Sequence, residues 1–339
     1  MLRRKVYRIH KAGNIEDLKL TEEEISFPKE NEVCIKVHSI GLNFADIFAL
    51  TGLYSATPKG SFIPGLEFSG TILEKGKAVK KFKQGDKVMG VTRFGGYTEY
   101  INIDSNYIKK LPTDWSLEEG AAFVVQALTA YYALITLGNL QEGQTVLIHS
   151  AAGGVGILAN RIAKKYNAFT IGTVGSAKKL SVLEEENYDL GIVRDENFAQ
   201  RLKDSLKQRE LNLVLECVGG KIFEESYKAL ARGGRLVSYG AAEFTPTGNT
   251  VDFFKVGLQY LFRPKIDPLE LVTANKSVMG FNLIWMYDKY EELSQLFEKI
   301  MRLNLPPQRI GKIFPFEKAK EAIYYFQSGK TIGKILLNV

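Results

Sequence analysis

The chain has 339 residues, of which 45% are hydrophobic and 24% are charged, and 45 basic against 38 acidic residues give a net charge of +7. This length predicts two domains with ample core, and the composition excludes a disordered chain. No apolar stretch approaches membrane-spanning length, so we expect no transmembrane segment. The charge alone leaves nucleic acid, an anionic membrane surface and a polyanionic cofactor open as partners.

Residues 1–123 alternate short strands with turns rich in glycine and proline. β-Branched alternation predicts antiparallel strands at Glu32–Ser39 and Gly96–Ile103. The lysine-rich segment 75–87 carries no nucleic-acid-binding motif, so we interpret it as a solvated loop and expect no nucleic-acid partner. The cysteines, Cys34 and Cys217, are too few for a disulfide framework. Together with the absence of a signal-peptide pattern, they indicate a cytoplasmic protein.

From residue 124 the pattern changes to strands that alternate with helices. The predicted strands are Thr145–His149, Ala168–Val174, Leu190–Val193, Leu211–Cys217, Arg235–Tyr239 and Ser277–Phe281. The predicted helices between them are Ile157–Lys165, Lys178–Asn187, Phe198–Gln208 and Lys221–Leu230. This alternation predicts an α/β fold with a doubly wound parallel (Rossmann) sheet. The tail, 285–339, predicts a helix, a strand, a second helix and a final strand.

The most informative stretch is Val146–Gly156, which follows the order of strand, small-residue turn and helix. Its turn has the spacing Ala-x-Gly-x-x-Gly from Ala151 to Gly156, a dinucleotide-binding fingerprint whose first glycine is replaced by alanine. Small residues allow the backbone to approach a pyrophosphate, and the helix start favours its charge. We therefore predict that the turn residues contact the cofactor: Ala152, Gly153, Gly154 and Val155.

The end of the second predicted strand indicates which dinucleotide binds. NAD sites usually carry an acidic residue there, but this chain has Gly175 and Ser176, followed by Lys178 and Lys179. Arg194, which closes the next strand, is a further cation. Small donors and cations suit a 2′-phosphate, so we predict NADPH as the cofactor, with contacts from these residues. The alternative is that the lysines are only a solvated helix start.

Several motifs over essentially the whole chain resemble the medium-chain dehydrogenase/reductase superfamily. They are GLNFAD at 41–46, PGLEFSG at 64–70, GDKVMG at 85–90, the fingerprint turn and the tail PFEKAKEAIYYFQSGKTIGKILL. NFADIFALTGLY at 43–54 and ALTAY at 127–131 resemble the zinc-free quinone oxidoreductase (zeta-crystallin) branch, and GNLQEGQTVLIHSAAGGVG resembles its vesicle amine transport protein subgroup. The resemblance implies a mainly-β GroES-like catalytic domain at 1–123, completed by 285–339, and a Rossmann domain at 124–284.

The resemblance also implies the remaining site residues. Zinc-dependent members carry Cys and His where this chain has Asn43 and Leu66, so we expect no metal. Asn43 and Tyr54 would line the acceptor pocket as catalytic residues, unless Asn43 only braces a turn and Tyr54 only packs. Thr129 would contact the nicotinamide ribose or amide. The further expected cofactor contacts are Gly240, Phe281, Asn282 and Lys330.

Without a metal, hydride transfer needs an acceptor that is already activated. We therefore predict NADPH-dependent reduction of a quinone or an α,β-unsaturated carbonyl. The alternative is an NADPH-binding protein of low activity that acts through protein, lipid or vesicle contacts. The aromatic segment Gly240–Lys276 is either a core-covering helix or a substrate-side lid or contact surface. By resemblance, the edge strand Ser277–Phe281 would pair with its copy in a homodimer.

Overall fold

The structure is a computed structural model that describes residues 2–339. Its strands are β1 (Leu2–Arg8), β2 (Lys19–Ile25), β3 (Glu32–Gly41), β4 (Glu67–Lys75), β5 (Lys87–Val91), β6 (Tyr100–Asp104), β7 (Ile108–Lys110), β8 (Thr145–Ile148), β9 (Phe169–Val174), β10 (Leu190–Val193), β11 (Leu211–Glu216), β12 (Leu230–Ser238), β13 (Ser277–Gly280), β14 (Ile310–Pro315) and β15 (Lys334–Asn338). Its α-helices are α1 (Phe44–Leu50), α2 (Leu117–Tyr131), α3 (Gly154–Lys165), α4 (Leu180–Glu185), α5 (Phe198–Leu206), α6 (Gly220–Ala229), α7 (Phe253–Leu261), α8 (Pro268–Ala274), α9 (Tyr290–Arg302) and α10 (Ala319–Gln327).

The second half of the chain forms a six-stranded parallel sheet in the order β10-β9-β8-β11-β12-β13. All six predicted strands are present, and this doubly wound arrangement confirms the predicted fold class. Every residue of β8 is buried. A strand that is covered on both faces is apolar along its whole length, so this apolar run was a reliable signal for a strand of a parallel sheet. β12 begins at Leu230, earlier than predicted, because the strand continues through Gly233 and Gly234.

The first part of the chain and the tail share a seven-stranded sheet in the order β14-β15-β3-β4-β5-β7, with β6 paired to β3. β15 is antiparallel to β3, with Leu336 opposite Gly41, so the end of the chain returns to the first domain. The domain limits at 123/124 and 284/285 stay predictions, and the first of them falls inside α2.

Helix α2 forms a wall that the two domains share. A capping box fixes its start, since the Ser116 hydroxyl accepts from the Glu119 amide at 3.1 Å and the Glu119 carboxylate accepts from the Ser116 amide at 2.8 Å. The expectation that no stretch reaches membrane-spanning length was wrong, because Leu117–Leu137 is long and apolar enough. Its most apolar window is 78% buried inside the protein, as expected for a core helix.

The aromatic side chains of the segment 240–276 lie outside the core clusters, although Leu271 of α8 packs against one of them. Helix α7 contains no buried residue, and Phe253, Phe254 and Phe262 are 72%, 79% and 76% exposed. The loop before α7 crosses to the other domain, where the Gln327 side chain donates to the carbonyl oxygens of Pro246 at 3.0 Å and Gly248 at 3.1 Å. The segment therefore spans the two domains at its start and leaves the outer side of α7 in solvent.

Candidate functional site

A cleft of about 1210 Å³ lies between the two domains and contains nearly all of the predicted site residues. Those that line it are Asn43, Tyr54, Thr129, Ala152, Gly153, Gly154, Val155, Gly175, Ser176, Lys179, Arg194, Gly240, Phe281 and Asn282. Lys330 is the exception: its side chain is exposed and outside the lining, while its neighbours Gly329 and Thr331 take part in it.

The fingerprint turn joins β8 to α3 in a conformation that requires small residues. A Cβ atom on Gly156 would lie 2.6 Å from the Ala151 Cα, so only glycine permits this close packing. The tail holds the turn from the other side, since the Gly333 amide donates to the Ala152 carbonyl at 2.8 Å and the Gln308 side chain donates to the Gly154 carbonyl at 2.6 Å. The first amides of α3 have no intrahelical acceptor and face an anion-binding position.

Arg194 is held at the end of the second strand by a buried chain of hydrogen bonds. Its Nη1 donates to the Thr173 carbonyl at 3.0 Å and to Thr173 Oγ1 at 2.7 Å. Thr173 Oγ1 lies 2.8 Å from Nδ1 of His149, whose Nε2 lies 2.9 Å from Ser226 Oγ. Since the Ser226 hydroxyl donates to the Ile222 carbonyl at 2.7 Å, Nε2 of His149 carries the proton and Nδ1 accepts from Thr173.

Arg194 is therefore a fixed cation whose hydrogen bonds include no carboxylate, although the negative charge of Glu216 acts to raise its pKa. Burial lowers the pKa of His149 to about 3, with the charge of Arg194 as the second cause, so the imidazole stays neutral. Burial also lowers the pKa of Arg194, but a guanidinium keeps its proton in proteins. The Cβ position of Gly175 lies 3.6 Å from Arg194 Nη2, so a small residue there leaves the guanidinium accessible from the cleft.

Lys179 lies in the cleft but also connects the two domains. Its Nζ donates to the carbonyl oxygens of Gly329 at 2.6 Å and Thr331 at 2.7 Å, in the loop that precedes β15. Burial lowers the pKa of Lys179, and the charge of Arg194 adds to this effect. An ammonium group has three donors, so one remains for a ligand. The neighbouring Lys178 is exposed and outside the cleft lining.

At the other end of the cleft, Asn43 belongs to a buried polar network. Its Nδ2 donates to Glu67 at 2.9 Å and to the Gly41 carbonyl at 3.1 Å, while its Oδ1 accepts from Gln126 at 2.6 Å and from Lys334 at 2.9 Å. All four hydrogen-bonding positions of the amide are therefore occupied by protein groups. This geometry favours a bracing role for Asn43, the alternative that the sequence left open.

The same network contains a buried ion pair between Lys334 Nζ and Glu67, 2.6 Å apart, with side chains 3% and 0% exposed. Lys334 also donates to the Leu42 carbonyl at 2.6 Å, and Glu67 accepts from the Val125 amide at 2.9 Å. Each charge is thus both paired and hydrogen-bonded, which is the condition for burying it.

Asp46, one turn into α1, is buried beside this network. Its carboxylate accepts from the amides of Asn43 at 2.8 Å and Gly65 at 3.2 Å and faces the Tyr97 hydroxyl at 3.4 Å. Burial raises the pKa of Asp46 to about 7, and the nearby Glu67 carboxylate contributes to the rise. The carboxylate anchors the turn that carries Asn43 into the cleft.

Tyr54 and Asn282 meet across the cleft from different domains. The Tyr54 hydroxyl donates to Asn282 Oδ1 at 2.7 Å, and burial raises the pKa of Tyr54 to about 12, so the phenol is protonated near neutral pH. Thr129 directs its hydroxyl proton to the Val125 carbonyl at 2.8 Å, which leaves its oxygen lone pairs for a ligand donor. These three residues add neutral polar groups to the end of the cleft that Asn43, Gln126 and Lys334 also line.

The residues present do not suit a catalytic zinc ion. Asn43 stands where the resemblance places a Cys ligand, and its amide already has protein partners at every hydrogen-bonding position. Leu66 stands where the resemblance places a His ligand, and its side chain has no ligand atom. Both carboxylates at this place already have partners, since Glu67 is paired with the Lys334 ammonium and Asp46 accepts from the amides of Asn43 and Gly65. Among residues 2–339, no group of three or more His, Cys, Asp or Glu side chains is arranged as metal ligands. We derive no metal-dependent step.

Sequence analysis gave no role to Glu67, Gln126, Thr173 or Lys334. One signal was present for Lys334, because it is a single lysine inside the apolar run predicted as the final strand. A charged residue inside an apolar strand either lies at the edge of the sheet or forms an ion pair with a buried group. The other three carry no local signal, since each acts only through partners that are distant in the chain.

Comparisons with known proteins agree with this architecture. Residues 29–113 match the family described as the alcohol dehydrogenase GroES-like domain, and residues 154–299 match the family described as zinc-binding dehydrogenase. The first match covers β3 to β7 of the seven-stranded sheet, and the second begins at α3 and covers five of the six strands of the parallel sheet, all but β8. The name of the second family includes zinc, whereas the residues around Asn43 do not form a zinc site.

Individual relatives are similar over most of the chain. The synaptic vesicle membrane protein VAT-1 homolog of Danio rerio is 34% identical over 91% of this chain, which spans 64% of that relative's length. The homolog of Rattus norvegicus is 31% identical over 91% of this chain and 77% of its own. The Escherichia coli quinone oxidoreductase complexed with NADPH has a TM-score of 0.85 at 28% identity and covers 100% of both chains. This chain therefore belongs to the medium-chain dehydrogenase/reductase superfamily, and its features are consistent with the zinc-free quinone oxidoreductase branch.

Proposed function

We propose that this protein is an NADPH-dependent oxidoreductase that reduces a quinone or an α,β-unsaturated carbonyl without a metal. The observation that carries the proposal is the continuity of the cleft. It joins a fingerprint turn and the guanidinium of Arg194, whose hydrogen bonds go to Thr173 and to no carboxylate, at one end to a largely apolar pocket with hydrogen-bonding groups at the other. Support comes from the similar structure of the Escherichia coli quinone oxidoreductase, which is complexed with NADPH.

The residues of the cofactor end fit NADPH. The α3 amides and Gly153 would hold the pyrophosphate, and Arg194 with the remaining donor of Lys179 would hold the 2′-phosphate. When bound, NADPH supplies a hydride. Thr129 offers lone pairs to a ribose hydroxyl or amide at the far end of the cofactor. The tail, bonded to the fingerprint turn through Gly333, helps to keep solvent from this end of the cleft.

At the acceptor end, charge develops on a carbonyl oxygen when the substrate receives a hydride. Tyr54 is the neutral donor available there, since the pKa of its phenol lies at about 12 and the group keeps its proton. Its proton is directed to Asn282, so the acceptor oxygen has to compete with Asn282 for this bond. The network of Asn43, Glu67 and Lys334 fixes the pocket wall without offering a free donor.

The test is a spectrophotometric screen of NADPH oxidation with quinones, 2-alkenals and primary alcohols, run beside NADPH-induced thermal stabilisation. We expect turnover with quinones or alkenals, little with primary alcohols, and clear stabilisation by NADPH. Stabilisation without turnover of any acceptor would overturn the reductase proposal and leave a cofactor-binding protein.

That second candidate is favoured by one feature, the exposed aromatic side chains of α7, and by the names of the vesicle membrane relatives. It predicts that the protein sediments with lipid vesicles and that substitution of Phe254, on the outer side of α7, abolishes this without changing NADPH binding. A protein that stays in the supernatant would exclude vesicle contact and agree with a cytoplasmic location.

We also propose a homodimer. β13 is the last strand of the parallel sheet and pairs only with β12, so its other edge is open for a second copy. An isologous pairing of two such edges would continue the sheet across a two-fold axis. Sedimentation velocity at micromolar concentration tests the proposal, and a single monomeric species would reject it.

A further inference from the structure

We propose that the acceptor carries a long hydrocarbon chain and that α7 forms the binding site for that chain. This inference rests on the proposed reductase function and specifies its substrate class. The cleft, at about 1210 Å³, is larger than the roughly 300–1,000 Å³ typical of a site for one ligand. A dinucleotide at the fingerprint end therefore leaves space for a second ligand of considerable size.

The inner stripe of α7 is apolar and belongs to the cleft. Phe253, Val256, Gly257 and Tyr260 are spaced as i, i+3, i+4 and i+7, which places them on one side of the helix, and all four line the cleft. Lys255 lies off this stripe and outside the lining. None of the four carries a charge, so the helix offers the cleft an apolar strip, and the Arg263 guanidinium lies over its last ring, 3.7 Å from the Tyr260 centroid.

The catalytic domain supplies a second apolar wall. Phe44 and Phe48 of α1 line the same cleft, as does Phe326, whose ring centroid is 4.4 Å from that of Phe44. The next residue, Gln327, holds the loop before α7 through the carbonyl oxygens of Pro246 and Gly248. This bond places the start of the α7 segment beside the Phe326 wall, so the two apolar surfaces belong to one end of the cleft.

The polarity of the cleft matches an amphipathic acceptor. Its neutral hydrogen-bonding groups at this end, Tyr54 and Asn282, suit a reactive carbonyl head. The side chains of Phe253 and Tyr260, in contrast, remain 72% and 60% exposed although they line the cleft. A hydrocarbon chain seated on them would remove apolar surface from water on both partners, at about a 4-fold gain in affinity per buried methylene.

Gly257 provides a direct steric probe of this site. A Cβ atom built on it has no heavy atom within 4 Å, so a larger side chain enters the cleft without a clash at its base. Replacing a helix-interior glycine also favours the helix, so Gly257→Leu is expected to fold. Leu258→Phe is the matched control, because it adds bulk to the same helix outside the cleft lining.

Two measurements use these variants and the unmodified protein with NADPH. The first is kcat/KM for 2-alkenals that differ only in chain length. The second is calorimetric binding of unreactive saturated ketones of the same lengths to the NADP⁺-loaded protein, which does not depend on turnover. We expect both to improve with chain length and then level off. Gly257→Leu should lower the ratio of long-chain to short-chain kcat/KM by about 10-fold or more, while Leu258→Phe leaves it unchanged.

The outcomes separate this inference from the reductase proposal. Turnover that is independent of chain length would overturn the chain site and leave the reductase function intact. Ketone binding that increases with chain length, without turnover of any alkenal or quinone, would support the chain site and overturn the reductase function. If Gly257→Leu changes the oligomeric state but not the chain-length dependence, the inner stripe belongs to a subunit contact and the inference is wrong.

Discussion

Arg194 is the residue on which the preference for NADPH over NADH should depend most. Nη1 is committed to Thr173, which leaves Nη2 and Nε to bind an anion from the cleft. One charge-assisted hydrogen bond contributes about 1.5–3 kcal/mol, which corresponds to about 10- to 150-fold in affinity. We expect Arg194→Met to weaken NADPH binding within this range and to leave NADH binding almost unchanged, because NADH lacks the 2′-phosphate.

The assay is a fluorescence or calorimetric titration of both cofactors at constant ionic strength. Lys178→Met is the control for the general loss of one positive charge, since Lys178 is exposed and outside the cleft. Lys179→Ala should behave differently from Arg194→Met. It removes the bonds to Gly329 and Thr331 as well as a donor for the phosphate, so both cofactors should bind more weakly and NADPH should lose more.

Thr173→Val tests whether the buried chain of hydrogen bonds holds Arg194 in place. The substitution keeps the shape of the side chain and removes the hydroxyl that bridges Arg194 to His149. We expect a smaller loss of the NADPH preference, about 3- to 10-fold, which is the range of one neutral hydrogen bond. Equal affinity of the unmodified protein for the two cofactors, or an equal loss of both in Arg194→Met, would refute this account of specificity.

Four further predictions follow from the geometry. Tyr54→Phe should lower kcat with acceptor by about 10- to 100-fold without changing NADPH affinity, and a change only in KM would argue against a role in stabilising the oxyanion. Turnover should survive prolonged chelation, and one tightly held zinc ion per chain in elemental analysis would contradict the assignment of Asn43. Lys334→Met should destabilise the protein by about 3–5 kcal/mol in urea unfolding, because Glu67 is left as an unpaired buried charge, and Glu67→Gln in the same chain should recover part of the loss. Burial raises the pKa of Asp46 to about 7, so between the ordinary pKa of an aspartate and about 7 the folded protein holds a proton that the unfolded chain has released. The protonated Asp46 therefore stabilises the fold at acidic pH, and this stabilisation is lost as pH rises through about 7. The unfolding midpoint of Asp46→Asn, measured against pH, should lose this dependence.

The elements that the sequence predicted well are those whose signal is local. The strands of the parallel sheet are short apolar runs bounded by turns, and the fingerprint turn is defined by residues within one segment. Both were recognised at nearly their observed limits, except that β12 begins five residues earlier than predicted. Helix α2 was not predicted as an element because its composition is apolar on every side, which gives no amphipathic period. Its burial between two domains explains that composition, but only after both domains are known.

The polar contacts of the site were not predictable in the same way. Lys334 and Asn43 are 291 positions apart, and Lys179 is 150 positions from Gly329, yet each pair is in hydrogen-bond contact. Nothing in the local pattern of either residue indicates its partner. The resemblance therefore placed Asn43 in the site and left open whether it is a catalytic residue or only braces a turn. Its amide, with every hydrogen-bonding position occupied by the protein, favours the bracing role.

The contacts that close the cleft lie at both of its ends. Gly333 binds the fingerprint turn, and Tyr54 binds Asn282 across the acceptor end. A ligand that contacts both domains changes the free-energy difference between a closed and an open arrangement of the cleft. The change equals the difference between its binding free energies for the two arrangements. A ligand at 100 times its Kd adds about 2.7 kcal/mol to the stability of the unit that binds it. A cofactor that bound the parallel-sheet domain alone would therefore protect that domain and not the other. Hydrogen exchange therefore distinguishes the two cases. If NADPH slows exchange in α1 as well as in α3, the cofactor contacts both domains; if it slows exchange in α3 alone, a single domain holds it.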